Sequence, residues 1–204
     1  MKRRYKTEIL AHGIRVLLSR HPEIRRLKRH NKPSFHGNQF WKSSWLLMDY
    51  FEKNHLAEGS RVLEIGCGWG LAGIYLTKYQ NVKVTGVDID SAVFPFFDLH
   101  CQYNGVKINR VTIGYEHLTE EILSRVDVLI GSDICFWDHM KDPLEELITR
   151  GMKAGVKKVI IADPVRDPFK ELCKNIGKKY KSDVTFCEIF DPKLILGEIL
   201  IIRA

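Results

Sequence analysis

The sequence predicts a doubly wound α/β fold, a three-layer sandwich whose seven-stranded, mostly parallel sheet has one antiparallel terminal strand, with helices N-terminal to it. Three observations carry this. From Arg61 onward, short β-branched runs alternate with helical stretches, the pattern of parallel βαβ units. The first run, 62–65, passes directly into Gly66-Cys67-Gly68-Trp69-Gly70 and then a helical stretch. The last two runs are separated by Asp191-Pro192-Lys193, too short for a helix and suited to a hairpin.

Taken in order, residues 8–18 place Ile9, Leu10, Ile14, Val16, Leu17 and Leu18 mostly at helical spacing and predict an N-terminal helix. Pro22 and Pro33 bracket a very basic stretch, 23–32, read as a short second helix. A polar connector, 34–39, leads to Phe40 and Trp41, and a third helix over 44–54 gathers Leu46, Leu47, Tyr50 and Phe51 on one side. Strands follow near 61–65, 83–88, 110–114, 126–131, 158–163, 184–190 and 196–202. Helices fall near 71–79, 91–104, 119–124, 142–152 and 167–180. Residues 1–35 are thus a basic, helical extension, and 36–204 form the α/β domain.

Composition narrows the function classes. With 204 residues, 45% hydrophobic and 28% charged, the chain suits one well-buried domain rather than a disordered one. No apolar run approaches the roughly 20 residues that a membrane span needs. His12, Arg15 and Arg20 interrupt any secretory core behind Lys2, Arg3 and Arg4. Five cysteines, an odd number with no Cys-x-x-Cys pair, argue against a disulfide framework or zinc site and suit reduced thiols in a cytoplasm. His and acidic residues never gather at ligand spacing, so no metal is expected. The net charge of +7 is uneven: residues 1–32 carry eleven Lys or Arg and two Glu, which leaves the remainder at −2. Such a head suits RNA, an acidic protein face or an anionic surface, or it is simply a solvated amphipathic helix. Tyr5 is its one stacking aromatic, so nucleic acid is not the favoured partner.

Chemistry concentrates at strand ends. In the turn 66–70 glycines permit a sharp bend and let a ligand approach bare backbone, and the following helix offers its N-terminal amides. The position where a dinucleotide fingerprint wants a third glycine holds Leu71, which disfavours a pyrophosphate cofactor. Val84-Thr85-Gly86-Val87-Asp88 is a strand ending in an acid, 22 residues after Gly66. A carboxylate there suits both hydroxyls of a ribose; the competing role is a cap on the helix beginning near Ser91. The glycine turn at this distance favours the ribose.

Glu64-Ile65-Gly66-Cys67-Gly68-Trp69-Gly70 and Gly86-Val87-Asp88-Ile89-Asp90 resemble the motifs of the class I, Rossmann-like S-adenosylmethionine-dependent methyltransferases, over about residues 36–204. The resemblance implies S-adenosylmethionine as cofactor and S-adenosylhomocysteine as product. It implies that Glu64, Gly66, Cys67 and Gly68 serve the methionine part, that Asp88 holds the ribose, and that Ile89 lies along the adenine. Glu116 matches the adenine edge loosely. A narrower resemblance is to the seven-strand protein-lysine methyltransferases, the group that includes the electron-transfer flavoprotein β subunit enzyme. It rests on 37–44 with Trp41, which it adds to the cofactor-binding residues, on Ser132-Asp133-Ile134-Cys135-Phe136 and on Ala162-Asp163-Pro164-Val165-Arg166. Phe136, Lys42 and Val165 stand where that group has tyrosine, a common proline and glycine.

Asp133 is the candidate to orient an acceptor nitrogen or take up its proton, and Phe136 with Trp137 to wall the sulfonium and amine. The alternative is that Asp133 turns the chain and both aromatics are core. His139 and His36 suit a base or a closing residue, or a surface position; Asp163 and Arg166 suit an ion pair or the substrate mouth. His100 and Asn104 read as structural. The expected reaction is methylation of a protein lysine, with a small-molecule N- or O-acceptor second and RNA third. Base-amine chemistry is disfavoured because 132–136 lacks the paired prolines of that class. A nucleotide-dependent oxidoreductase or a non-catalytic S-adenosylmethionine-binding protein would be the different classes.

Overall fold

The computed structural model describes residues 6–34 and 36–204; Lys2, Arg3, Arg4 and Tyr5 of the basic head lie outside the described residues. In chain order the elements are β1 (Glu8–Ala11), β2 (Ile14–Leu17), α1 (Pro22–His30), α2 (Ser43–Lys53), β3 (Arg61–Ile65), α3 (Leu71–Tyr79), β4 (Lys83–Asp88) and α4 (Phe94–Asn104). Then come β5 (Asn109–Thr112), α5 (Glu120–Leu123), β6 (Val128–Ser132), α6 (Asp138–Lys153), β7 (Lys158–Asp163), α7 (Asp167–Gly177), β8 (Ser182–Ile189) and β9 (Ile195–Arg203). Short 3-10 turns occupy His36–Asn38, Ser91–Val93 and Tyr115–His117.

The large sheet runs β5-β4-β3-β6-β7-β9-β8, parallel except where β9 pairs antiparallel with both β7 and β8. The reversed strand is the last in the chain, yet it lies one place in from the edge, and β8 takes the edge. Central strands are buried on both faces, as parallel sheets require, which is why β3, β6 and β7 read as near-continuous apolar runs. Alternate residues feed two cores. Val62, Ile130 and Ile160 meet the α2–α4 layer, while Leu63, Leu129 and Ile161 meet the α6–α7 layer.

The predicted helix over 8–18 is instead the β1–β2 hairpin, with Ala11 opposite Ile14 and a two-residue turn at His12 (φ 49°) and Gly13 (φ 69°). Two left-handed residues give the turn whose twist matches paired strands. Ala11, Ile14 and Val16 then point inward while Leu10 and Arg15 stay exposed, an alternation that overrides the loose helical spacing. The structural reading of His100 and Asn104 gains a partner here. Asn104 Oδ1 accepts from Arg15 N at 2.8 Å, and His100 Nε2 accepts from Leu17 N at 3.1 Å. Burial pulls the His100 pKa down to about 4, which keeps Nε2 an acceptor at neutral pH. Helix α6 begins four residues before its expected start at 142, which brings His139 and Met140 to the carboxyl edge of the sheet.

Candidate active site

The glycine turn folds back over the ends of β3 and β4. Cys67 N donates to Val87 O at 3.0 Å, and Gly70 N donates to Cys67 O at 2.7 Å. Gly66 and Gly68 have φ of 57° and 51°, a region costly to any residue with a Cβ. A Cβ built on Gly68 meets no protein atom within 4 Å, so bare backbone faces open space. That space is a cavity of about 470 Å³, walled by Gly66, Gly68, Asp88 and Ile89 on one side and by Trp41 and Phe136 on another. Glu116 and the apolar Ile113 and Tyr115 also line it.

Asp88 ends β4 at this wall, with Oδ2 accepting from Gly68 N at 2.9 Å and Oδ1 from Asp90 N at 3.0 Å. Burial is the largest influence on its pKa and raises it; the two amides pull the other way. The capping role falls to Asp90, whose Oδ1 accepts from Ala92 N at 3.0 Å, so Asp88 remains on the cavity. The other Asp90 oxygen, Oδ2, accepts from Ser34 N at 2.6 Å and pins the strap formed by Ser34 and 36–41 over the cavity. Trp69 holds the same strap, donating from Nε1 to Gly37 O at 3.1 Å. Neither tether was anticipated, since each joins segments far apart in sequence.

The side chains of Glu64 and Cys67 are not among those lining the cavity. Cys67 packs into the core beside Phe97. Glu64, 3% exposed, accepts from Gly73 N at 3.1 Å and so fastens the first turn of α3. Burial pushes its pKa up to about 8. A carboxyl whose native pKa exceeds its unfolded value adds stability that is full below the unfolded value and is lost as pH rises through the native one. Glu64 is therefore expected to cost about 1 kcal/mol per pH unit between roughly pH 5 and 8. Glu64→Gln keeps the acceptor and should remove that slope, measured by urea unfolding at pH 6 and 7.5.

Elsewhere on the cavity wall, Asp133 follows β6 with φ 55° and is 5% exposed. Oδ2 accepts from Ser43 N at 3.0 Å, and Oδ1 pairs with Arg166 Nη2 at 2.8 Å. A carboxylate has about four lone-pair sites, so a further donor can add to these bonds. Phe136 sits 4.8 Å from Trp41 and 4.4 Å from His36, ring centre to centre. Trp41 itself donates from Nε1 to His36 O at 2.7 Å. Trp137 is exposed and does not line the cavity, whereas His36 and His139 do.

Comparison with known proteins now bears on this geometry. A family described as lysine methyltransferase matches residues 23–183. The chain belongs to the lysine methyltransferase family. An electron transfer flavoprotein beta subunit lysine methyltransferase from Xenopus laevis is 26% identical over 139 residues, covering 66% of this chain and 56% of that protein. A ubiquinone biosynthesis O-methyltransferase from Nitrosococcus oceani is 29% identical over 137 residues, again 66% of this chain and 56% of that protein. The chain therefore spans a little over half the length of the curated relatives it matches. In fold it is similar to the methyltransferase domain of bacterial CtHen1 (TM-score 0.60, 14% identity, covering 79% of this chain and 97% of that one). It is likewise similar to M. capricolum TrmK, solved with S-adenosylhomocysteine (TM-score 0.58, 14% identity, 78% and 67% covered).

This lysine methyltransferase family member has the domain of an S-adenosylmethionine-dependent methyltransferase, and S-adenosylmethionine is its cofactor. The residues present fit it. Bare backbone at Gly66 and Gly68, a carboxylate at Asp88 and an apolar slot at Ile89 and Ile113 match its amino-acid, ribose and adenine parts. Among the described residues no group of His, Cys, Asp or Glu could hold a metal ion, and no helix is long and apolar enough to cross a membrane.

Asp163 and Arg166 form an ion pair in this family member. Arg166 Nη1 pairs with Asp163 Oδ2 at 2.7 Å, and the same guanidinium reaches Asp133 and covers the Phe136 ring at 4.2 Å. Arg166 also lines a second cavity of about 440 Å³ that shares Trp41 and Asp133 with the first. The loop that aims Arg166 is bent at Val165, which has φ 73°. A β-branched residue is costly there, and the resembling motif has glycine. Val165→Gly is expected to stabilise the protein by about 0.5–1 kcal/mol, strain relief exceeding the added chain entropy. A rise in Tm checks this.

Proposed function

We propose that the protein methylates the side-chain nitrogen of a lysine in another protein, in the cytoplasm. One observation carries the reading: Asp133, a buried carboxylate, forms a wall common to the cofactor cavity and the second cavity. An ammonium arriving through the second cavity would meet a charge-assisted acceptor facing the cofactor. The family description and the name of the Xenopus relative support lysine as the acceptor. Five unpaired cysteines support a reducing compartment.

When bound, S-adenosylmethionine supplies a methyl group already activated on a sulfonium. The chain's own contribution is then alignment and desolvation. Gly66, Gly68 and Asp88 hold the cofactor from one side. Trp41, His36 and Phe136 exclude water from the other and tolerate a cation against their rings. Asp133 orients the amine and holds the proton it must lose before its lone pair is free.

A small-molecule O-acceptor is the second reading, favoured by the name of the Nitrosococcus relative. Incubating the purified protein with cell lysate and methyl-labelled S-adenosylmethionine separates the two. Label recovered on lysine after digestion of a protein band is the expected result. Label confined to the small-molecule fraction would replace it with the second reading.

A further inference from the structure

The rim of the second cavity has two properties the cofactor does not use. Lys42 lines it and is exposed; Lys193, next to Leu194 of the same wall, is exposed as well. Among the described residues neither lysine forms an ion pair with a carboxylate. The Lys42 ammonium stands close enough to pull the Lys193 pKa below the usual lysine value. Two neighbouring like charges without a counter-charge make a site for an anion.

The rim is also apolar. Leu194 is 55% and Leu196 45% exposed. The β8–β9 register puts Glu188 opposite Leu196, Phe186 opposite Glu198 and Val184 opposite Leu200. Alternation therefore places Val184 and Phe186, both exposed, on the same face as Leu196, with the carboxylates of Glu188 and Glu198 between them. From the Leu196 pair to Val184 this face runs for roughly 13 Å at about 3.3 Å per residue, longer than a lysine side chain or a single ring. Exposed apolar side chains interleaved with charge and continuous with a site suit a protein partner rather than a small molecule.

We infer that this rim docks the acceptor protein, which presents its lysine to Asp133 from an extended segment carrying a nearby carboxylate and an apolar side chain. The carboxylate meets Lys42 and Lys193, and the apolar side chain covers Leu194 and Leu196. This rests on the lysine reading above and specifies its substrate.

The test uses the full chain, methyl-labelled S-adenosylmethionine and synthetic peptides that each hold one central lysine. Peptides flanked by Asp or Glu and a leucine are expected to exceed basic-flanked ones in kcat/KM by roughly tenfold, and Lys42→Glu with Lys193→Glu to reverse that order. S-adenosylhomocysteine affinity, read by calorimetry, should not move in that double variant, since neither lysine lines the cofactor cavity. Leu196→Asp should lower the leucine preference. Indifference to flanking charge, or an unchanged preference in the double variant, overturns the docking inference alone. Failure to label any lysine peptide, with label passing to a small hydroxylated acceptor, overturns it together with the lysine reading.

Discussion

Asp88→Ala is expected to weaken S-adenosylhomocysteine binding by roughly 100-fold, the loss of charge-assisted bonds to two hydroxyls at about 1.5 kcal/mol each. The change removes two things at once. It takes away the carboxylate on the cavity wall, and it frees Gly68 N and Asp90 N, which that carboxylate now holds. Asp88→Asn separates them, because the amide oxygen can keep one backbone bond while the charge is gone. Its affinity should fall between wild type and alanine. Calorimetry reads both variants directly, and the ligand-induced rise in Tm should shrink in parallel. Unchanged affinity in the alanine variant would remove Asp88 from the cofactor site.

Arg166→Ala is expected to cost about 3–5 kcal/mol of stability at neutral pH, the usual effect of leaving buried charges without their partner. Asp133 and Asp163 are 5% and 1% exposed, and Arg166 is the cation that joins them. Burial already pushes the Asp163 pKa up to about 6, against the pull of Arg166. Without the guanidinium it rises further. A raised carboxyl contributes stability below its unfolded pKa and loses it as pH climbs through the native one. The deficit of Arg166→Ala should therefore be small near pH 4.5 and grow as pH rises through about 6. Urea unfolding at the two ends of that range measures it. Methyl transfer should fall too, because the same side chain positions Asp133 and covers Phe136. Arg166→Lys, with one point charge in place of a planar fork, should recover part of the stability and less of the turnover.

What was legible in the sequence was local. The strands β3, β4 and β7 end where their Val- and Ile-rich runs end, and the glycine turn announces itself because only a bend needs that spacing. Asp88, Gly66, Gly68, Ile89, Glu116, Trp41, Asp133 and Phe136 all face the one cavity. What stayed hidden depends on contacts between distant segments. The Asp90 tether reaches back to Ser34, and Arg166 reaches Asp133, across 56 and 33 residues. Glu64 and Cys67 sit within the motif, yet strand alternation and the core behind α3 turn their side chains away from the cavity. The 8–18 segment fits both periods because its apolar residues crowd together; the choice is made by His12 and Gly13 adopting left-handed backbone.

That hairpin bears on how the protein can be trimmed for expression. Leu17 of β2 and Ile24 of α1 close over the stacked rings of Trp69 and Phe96, which lie 5.2 Å apart with planes 4° from parallel. Leu18 N donates to Thr7 O at 2.8 Å, so the fastening reaches to the first described residues. A recombinant version started at residue 36 would leave that aromatic stack wet and free the back of α4, whose N-terminal end follows the Asp88 loop. A version that keeps the stack covered has to retain Thr7.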